Sequence, residues 1–319
     1  MSNIVIIPFG DYSSSAYLIY IKLKSSNEVD NLSYISYNTS VFSDGEISVT
    51  QTDSVRNKIV YICGSPLTSD EIITYIMLLD SLKRDGVKEI IAVMPYLPYM
   101  RQDRRGGSRT NVGAKVIAKL LEDNGVNHVI TLDLHVAQIE SFFNIMVSHF
   151  SSISIFDKLI QDNINKYGKN NLVLVAPDVG ASKRVEAISN KYNIPMVISY
   201  KTRSEHNQVD NIEVLGNVLG KHCLIFDDMV DTGGSIIKVV ERLSEMGAEP
   251  IVNAFITHPV LSTNRIFPAN IKMNVTNSVT VNNESVNVVG IEDFMCEIIL
   301  TNIKGIRSFR EAVQSYENR

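Results

Sequence analysis

The densest chemistry in the chain lies between Leu224 and Ser235. There the apolar run Leu224-Ile225-Phe226 empties into Asp227 and Asp228, and Met229-Val230 then leads into Asp231-Thr232-Gly233-Gly234-Ser235. The apolar run has the length of a buried parallel strand. Ile236, Ile237, Val239, Val240 and Leu243 follow at helical spacing, so the segment reads as strand, loop and helix N-terminus. Backbone N–H groups of Thr232, Gly233, Gly234 and Ser235 would then point at a phosphate, aided by the helix dipole and by the close approach that glycine permits. Asp227 and Asp228 suit sugar hydroxyls or a magnesium ion. An isolated DTGGS also suits an acidic loop capping a helix. The paired aspartates straight after a strand are what favour the ligand.

Other polar groups sit at comparable places. Arg101, Gln102 and Asp103 follow a strand-like run ending near Pro95, and the arginine can grip phosphate oxygens bidentately. By spacing alone that block serves equally as a solvated charge run. His135 closes the run Val129 to Leu134 and Asp178 the run Leu172 to Val175. Asp178 is a natural hard-oxygen ligand, whereas histidine is an unusual choice for such a metal. Lys201 and Arg203 precede a polar stretch, Ser204 to Asp210, without apolar periodicity, which reads as a mobile loop.

The elements that must position these groups are strands alternating with helices. Apolar runs at 58–65, 89–95, 128–135, 172–178, 196–201, 222–228 and 251–258 each end in polar residues. The clearest helix spans about 69–84, with Ile72, Ile73, Ile76, Leu79 and Leu82 on one face, acids in its first turn and Gly86 beyond its end. A second lies between Asn111 and Gly125. Alternation predicts an α/β fold of parallel sheets, whose ligands gather at the carboxyl ends of the strands. With 319 residues, two domains are expected, 1–150 and 151–319, with Ser151-Ser152-Ile153-Ser154 as the seam and the final helix packing back on the first domain.

Composition narrows the function classes. A 45% apolar, 20% charged chain of net charge -5 offers no basic footprint for nucleic acid, and Arg101, Arg104, Arg105 and Arg109 are only a local cluster. The start lacks a basic n-region, and no apolar run approaches the ~18 residues of a spanning helix, so a cytoplasmic protein is expected. Cys63, Cys223 and Cys296 are far apart and read as buried thiols. No GxxxxGK[ST] segment is present, so any nucleotide is held by other means.

The 227–235 loop resembles the phosphoribosyl diphosphate motif of phosphoribosyltransferases and ribose-phosphate pyrophosphokinases. Four further blocks decide between them: Phe42-Ser43-Asp44-Gly45-Glu46-Ile47-Ser48-Val49, Arg101-Gln102-Asp103-Arg104-Arg105, Thr131-Leu132-Asp133-Leu134-His135 and Ala176-Pro177-Asp178-Val179-Gly180. In that order they are similar to the ribose-phosphate pyrophosphokinase family, over about residues 42 to 260. The resemblance implies two similar phosphoribosyltransferase-like (Rossmann-like) domains with the active site between them. It implies transfer of the diphosphoryl group of ATP to the C1 hydroxyl of ribose 5-phosphate, giving phosphoribosyl diphosphate and AMP.

By the same resemblance, Phe42, Asp44, Glu46, Arg101, Gln102, Asp103 and His135 serve ATP, the first three from a neighbouring subunit. Asp227, Asp228, Asp231, Thr232, Gly233, Gly234 and Ser235 hold ribose 5-phosphate. His135 and Asp178 associate with Mg2+, and Lys201 and Arg203 are catalytic on a closing loop. A homo-oligomer follows, a dimer at least and a hexamer by resemblance. The alternatives are a noncatalytic regulatory homologue and, more distantly, a type I phosphoribosyltransferase. Departures from the family pattern are Asn111-Val112-Gly113 in place of Pro-Ile-Ser/Thr, Gly64 for a larger polar residue, Ser235 for threonine, and a C-terminus, Ser308 to Arg319, that lacks the pattern of the phosphate-activated, ADP-inhibited class.

Overall fold

The computed structural model describes residues 3–202, 211–263, 265–305 and 309–317. The chain divides into two compact units, residues 1–151 with 291–319, and residues 152–290.

The first unit holds β1 (Ile4–Pro8), α1 (Ser13–Ser25), β2 (Leu32–Tyr34), β3 (Tyr37–Val41), β4 (Ile47–Gln51), β5 (Ile59–Cys63), α2 (Ser69–Asp85), β6 (Glu89–Val93), α3 (Gly113–Asp123), β7 (His128–Leu132) and β8 (Met146–Phe150). Six of these strands form a sheet in the order β2-β1-β5-β6-β7-β8, every pair parallel, while β3 and β4 make a separate antiparallel hairpin. The central strands are mostly apolar and buried along nearly their whole length because both faces are covered.

Local signals set the ends of α2. Thr68 Oγ1 accepts the Glu71 N–H at 3.2 Å and the Glu71 carboxylate accepts the Thr68 N–H at 3.0 Å, a reciprocal cap. Gly86, at φ +84°, stops the helix. Its buried face is Ile72, Tyr75, Leu78, Leu79 and Leu82. The predicted face is corrected at Ile73, which is 49% exposed. The stripe is centred near Tyr75 and Leu79, and Ile73 sits about 160° around the helix from Tyr75.

The second unit holds α4 (Asp157–Tyr167), β9 (Leu172–Ala176), α5 (Ser182–Tyr192), β10 (Met196–Thr202), β11 (Asn211–Leu215), β12 (His222–Val230), α6 (Gly234–Glu245), β13 (Val252–Pro259), β14 (Ile271–Thr276) and β15 (Val286–Val289). The sheet order is β11-β10-β9-β12-β13-β14-β15, parallel except between β10 and β11. One core lies between the sheet and α4 and α5, the other against α6.

From Ile291 the chain rejoins the first unit with α7 (Glu292–Ile303) and α8 (Phe309–Glu317), so the second unit is shorter than the expected 151–319. The reason lies in α7, which buries Phe294, Met295, Ile298, Ile299 and Leu300 and packs beside α1. Asn302 adds polar contacts, accepting from the Tyr61 hydroxyl at 2.6 Å and lying 3.4 Å from His128 Nδ1. The three cysteines are buried and form no disulfide with one another, and burial pushes the Cys63 and Cys223 thiols up to about 12. Among the described residues no helix is long and apolar enough to cross a membrane.

Candidate active site

In the second unit the strand order reverses between β9 and β12. A crevice forms at such a switch point, beyond the carboxyl ends of the strands. Asp178 follows β9 by two residues, and Asp227 and Asp228 lie near the end of β12. The last register pair, Val175 with Ile225, brings the two chain segments side by side, and the Asp178 carboxylate is near enough to act on Asp227.

Neighbouring strand residues face opposite ways. Leu224 and Phe226 belong to the core under α4 and α5, so Asp228 turns to that side, where it is 5% exposed and faces Arg184 of α5 with Nη1 3.6 Å from Oδ1. Asp227 turns with Cys223 and Ile225 toward α6, and its Oδ1 accepts the Asp228 N–H at 2.9 Å. Burial, then the nearby Asp228 and Asp178 carboxylates, push the Asp227 carboxyl well above its ordinary range, with Arg184 opposing. A cation or sugar hydroxyls placed here would relieve that crowding. The Asp178 Oδ1 accepts the Ala181 N–H at 2.9 Å, which fixes the carboxylate at the mouth of the crevice.

Beyond β12, Gly233 sits at φ +73°, and a Cβ there would stand 2.5 Å from the Phe267 ring, so this turn requires glycine. Gly234 is different: a Cβ would meet nothing nearer than Thr232 Oγ1 at 3.7 Å. Ile237 N–H bonds back to the Gly233 carbonyl at 3.1 Å, leaving the N–H groups of Gly234, Ser235 and Ile236 as the terminal donors of α6. The terminal donors of the helix thus begin two residues after Thr232 and extend to Ile236. The Thr232 and Ser235 side chains are exposed beside it. Asp231 is tied to Ser262, accepting both its N–H, at 3.3 Å, and its hydroxyl, which shapes the loop.

Lys201 lies in β10, whose register with β9 sets Asp178 level with Tyr200, one residue before the exposed lysine. Arg203 and the stretch expected to be a mobile loop lie outside the described residues.

In the first unit, the segments after β6 and β7 leave neighbouring strands, and Leu132 N–H donates to the Pro95 carbonyl at 3.2 Å. Leu97 and Met100 are buried, while Arg101 and Gln102 are exposed and Asp103 is half-buried. His135 is exposed beyond β7. Its neighbour Leu134 donates its N–H to His149 Nε2 at 3.0 Å, and His149 Nδ1 lies 3.1 Å from Glu140 Oε1. Since Nε2 accepts, Nδ1 carries the proton and donates to Glu140. The Asp133 N–H bonds the Phe150 carbonyl at 2.9 Å, a second tie between this loop and β8. Phe42, Asp44 and Glu46 occupy the exposed tip of the β3–β4 hairpin, with Phe42 58% exposed. Gln51 Nε2 anchors the hairpin base to Asp85 at 3.0 Å.

Among the described residues, no three His, Cys, Asp or Glu side chains are grouped to hold a metal ion. Magnesium usually takes only one or two protein carboxylates and fills its shell with water and substrate phosphates, and Asp178 fits that role with Oδ2.

Comparison with known proteins fits this arrangement. Residues 22–125 match the N-terminal domain of ribose phosphate pyrophosphokinase, and residues 148–292 match the phosphoribosyl transferase domain. A ribose-phosphate pyrophosphokinase from Ralstonia nicotianae is 40% identical over 69% of this chain and 69% of its own length. One from Porphyromonas gingivalis is 34% identical over 81% and 83%. The chain belongs to the ribose-phosphate pyrophosphokinase family. In structure it is similar to the phosphoribosylpyrophosphate synthetase from Mycobacterium smegmatis, with TM-score 0.85, 27% identity, and coverage of 95% of this chain and 100% of the other.

Within the pyrophosphokinase family, one noted departure has a plain packing reason. Gly64 holds φ +139°, and a Cβ on it would lie 2.2 Å from the Phe9 carbonyl oxygen. Two residues beside the candidate site escaped the sequence reading. Arg184 gave a faint signal as a basic residue next to the apolar stripe Ala181, Val185 and Ile188. His149 gave none, because its contact with Leu134 exists only once β7 and β8 pair.

Proposed function

We propose that the protein is a ribose-phosphate pyrophosphokinase in activity. The C1 hydroxyl oxygen of ribose 5-phosphate attacks the β-phosphorus of ATP, the bond from that phosphorus to the α-β bridging oxygen breaks, and AMP leaves. The observation that carries this reading is the convergence of Asp178, Asp227 and Asp228 with the α6 N-terminus at the β9–β12 switch point. The N–H groups of Gly234 and Ser235 and the hydroxyls of Thr232 and Ser235 suit the 5-phosphate, with Asp227 and Asp228 for the ribose hydroxyls. Gly233 and Asp231 shape that loop.

Lys201 and Arg203 are assigned to the charge that develops on the transferred group, where fixed cations lower the barrier most. Arg101, Gln102, Asp103 and His135 are assigned to ATP. Magnesium, held through Asp178 with His135 acting through water, would neutralise phosphate charge when bound with the nucleotide. The exposed Phe42, with Asp44 and Glu46, suits the adenine of a neighbouring subunit, which makes a homo-oligomer, dimer or hexamer, the working form. The cytoplasm, where ATP is at hand, is the proposed compartment.

The test is incubation with ATP, magnesium and ribose 5-phosphate, following AMP and phosphoribosyl diphosphate with and without the sugar. Equal, sugar-dependent formation of both is expected. Neither product from folded protein supplied with free phosphate would overturn the catalytic reading in favour of a regulatory homologue.

A further inference from the structure

Gly113 opens α3 and is buried, yet its backbone needs no left-handed conformation. What excludes a side chain there is the segment after β6. A Cβ would lie 2.6 Å from Gln102 Oε1, 2.9 Å from Tyr99 Cδ1 and 3.1 Å from Gln102 Cβ. Two residues earlier, Asn111 donates its Nδ2 to the same Gln102 Oε1 at 3.1 Å.

The main chain of Gln102 is fastened as well. Its N–H closes a turn on the Tyr99 carbonyl at 2.8 Å, and its carbonyl accepts the Ala114 N–H at 3.2 Å, satisfying one of the orphan donors of α3. Tyr99 and Arg109 stand at φ +60° and +66°, positions that residues with a β-carbon hold only when their surroundings impose them. Four contacts therefore converge on Gln102 and clamp a loop that is otherwise exposed from Arg101 to Asn111 except at Asp103.

We propose that Asn111 and Gly113 form a socket for the Gln102 side chain, and that Gln102 is a positioning residue whose docking presents Arg101 and Asp103 to the nucleotide. This rests on the assignment of Arg101 and Asp103 to ATP, and it gives Gln102, grouped with them above, the supporting part. Gln102 spends its amide oxygen on Asn111, so its contribution is the shape of the loop. Asn111 and Gly113 are two of the three positions at which this segment departs from its family's pattern. The two changes act together, one adding the donor and the other clearing the space.

The experiment measures ATP binding directly by calorimetry, together with KM for both substrates and kcat, for Asn111→Ala and Gly113→Ala in the wild-type and Gln102→Ala backgrounds. Each single variant weakens ATP binding roughly three- to tenfold, the range of one lost hydrogen bond, with kcat and the KM for ribose 5-phosphate within about twofold. In the Gln102→Ala background, Asn111→Ala adds less than about twofold. Full additivity there, or unchanged ATP affinity in both single variants with unaltered Tm, overturns the socket. A protein that binds ATP but forms no AMP refutes the activity and leaves this test intact. One that binds no ATP overturns both.

Discussion

At the scale of single residues, two adjacent glycines separate what the fold needs from what a ligand needs. Gly233 is demanded by its φ of +73° and by the Phe267 ring, whereas Gly234 has room for a methyl group. Gly233→Ala is therefore expected to lower stability by about 1–3 kcal/mol, seen as a lower unfolding midpoint. Gly234→Ala should leave the midpoint unchanged and, on the proposed assignment of this turn to the 5-phosphate, raise the KM for ribose 5-phosphate by about tenfold. In the proposed mechanism, Lys201 would supply charge that matters mainly in the transition state. Lys201→Ala should lower kcat by about 10² to 10³ with little change in KM, and steady-state kinetics on both substrates will show it. The glycines were legible in the sequence as a phosphate loop. Which of the two serves the backbone was not, because Phe267 reaches Gly233 only in the folded chain.

At the scale of elements, the strand ends do the positioning. The parallel strands could be read from their continuous apolar runs, and α2 from its apolar spacing, first-turn acids and terminal glycine, because these signals are local. The hairpin β3–β4, the edge strands and the packing face of α2 were less legible, since polar strands and helix rotation are decided by neighbours. Gly64 shows the demand at a strand end. It leaves β5 with its N–H on the Val93 carbonyl at 3.0 Å while Phe9 N–H bonds the Cys63 carbonyl at 2.8 Å, so β1, β5 and β6 are fastened around it. Gly64→Ala places a methyl group against the Phe9 carbonyl, and a loss of at least about 2 kcal/mol is expected in urea unfolding.

At the scale of the whole molecule, the return of α7 to the first unit depends in part on a neutral histidine. Tyr61 donates to Asn302, the Asn302 amide faces His128 Nδ1, and His128 Nε2 lies 2.8 Å from Ser148 Oγ, so the ring proton sits on Nε2. Burial lowers His128 from 6.5 to about 4. The folded state thus stays neutral while an unfolded chain takes up a proton below pH 6.5. Stability from this group is present above 6.5 and lost as pH falls toward 4. Between pH 7 and 5 the loss is about 2 kcal/mol, and His128→Asn should flatten that part of the pH profile of unfolding. The proposed assembly has its own test. If the hairpin tip completes a neighbour's site, co-refolded Phe42→Ala and Lys201→Ala chains should recover up to about a quarter of wild-type turnover, as random pairing of subunits allows. No recovery would assign the tip to its own chain.

The sequence by itself determined the α/β class, the alternation of the main parallel strands with helices and the family, because each is written in contiguous residues whose apolar period or motif is local; it also supplied the expectation of a phosphate loop at 231–235. Only the tertiary structure decided that the strand order reverses between β9 and β12, beside which Asp178 and Asp227 come near each other, and that Arg184, His149, Asn111 and Gly113 stand beside the candidate residues. It also decided that residues from 291 onward belong with the first unit. Each of these depends on groups distant in sequence meeting through strand register and helix packing, and a linear pattern carries no record of such a meeting.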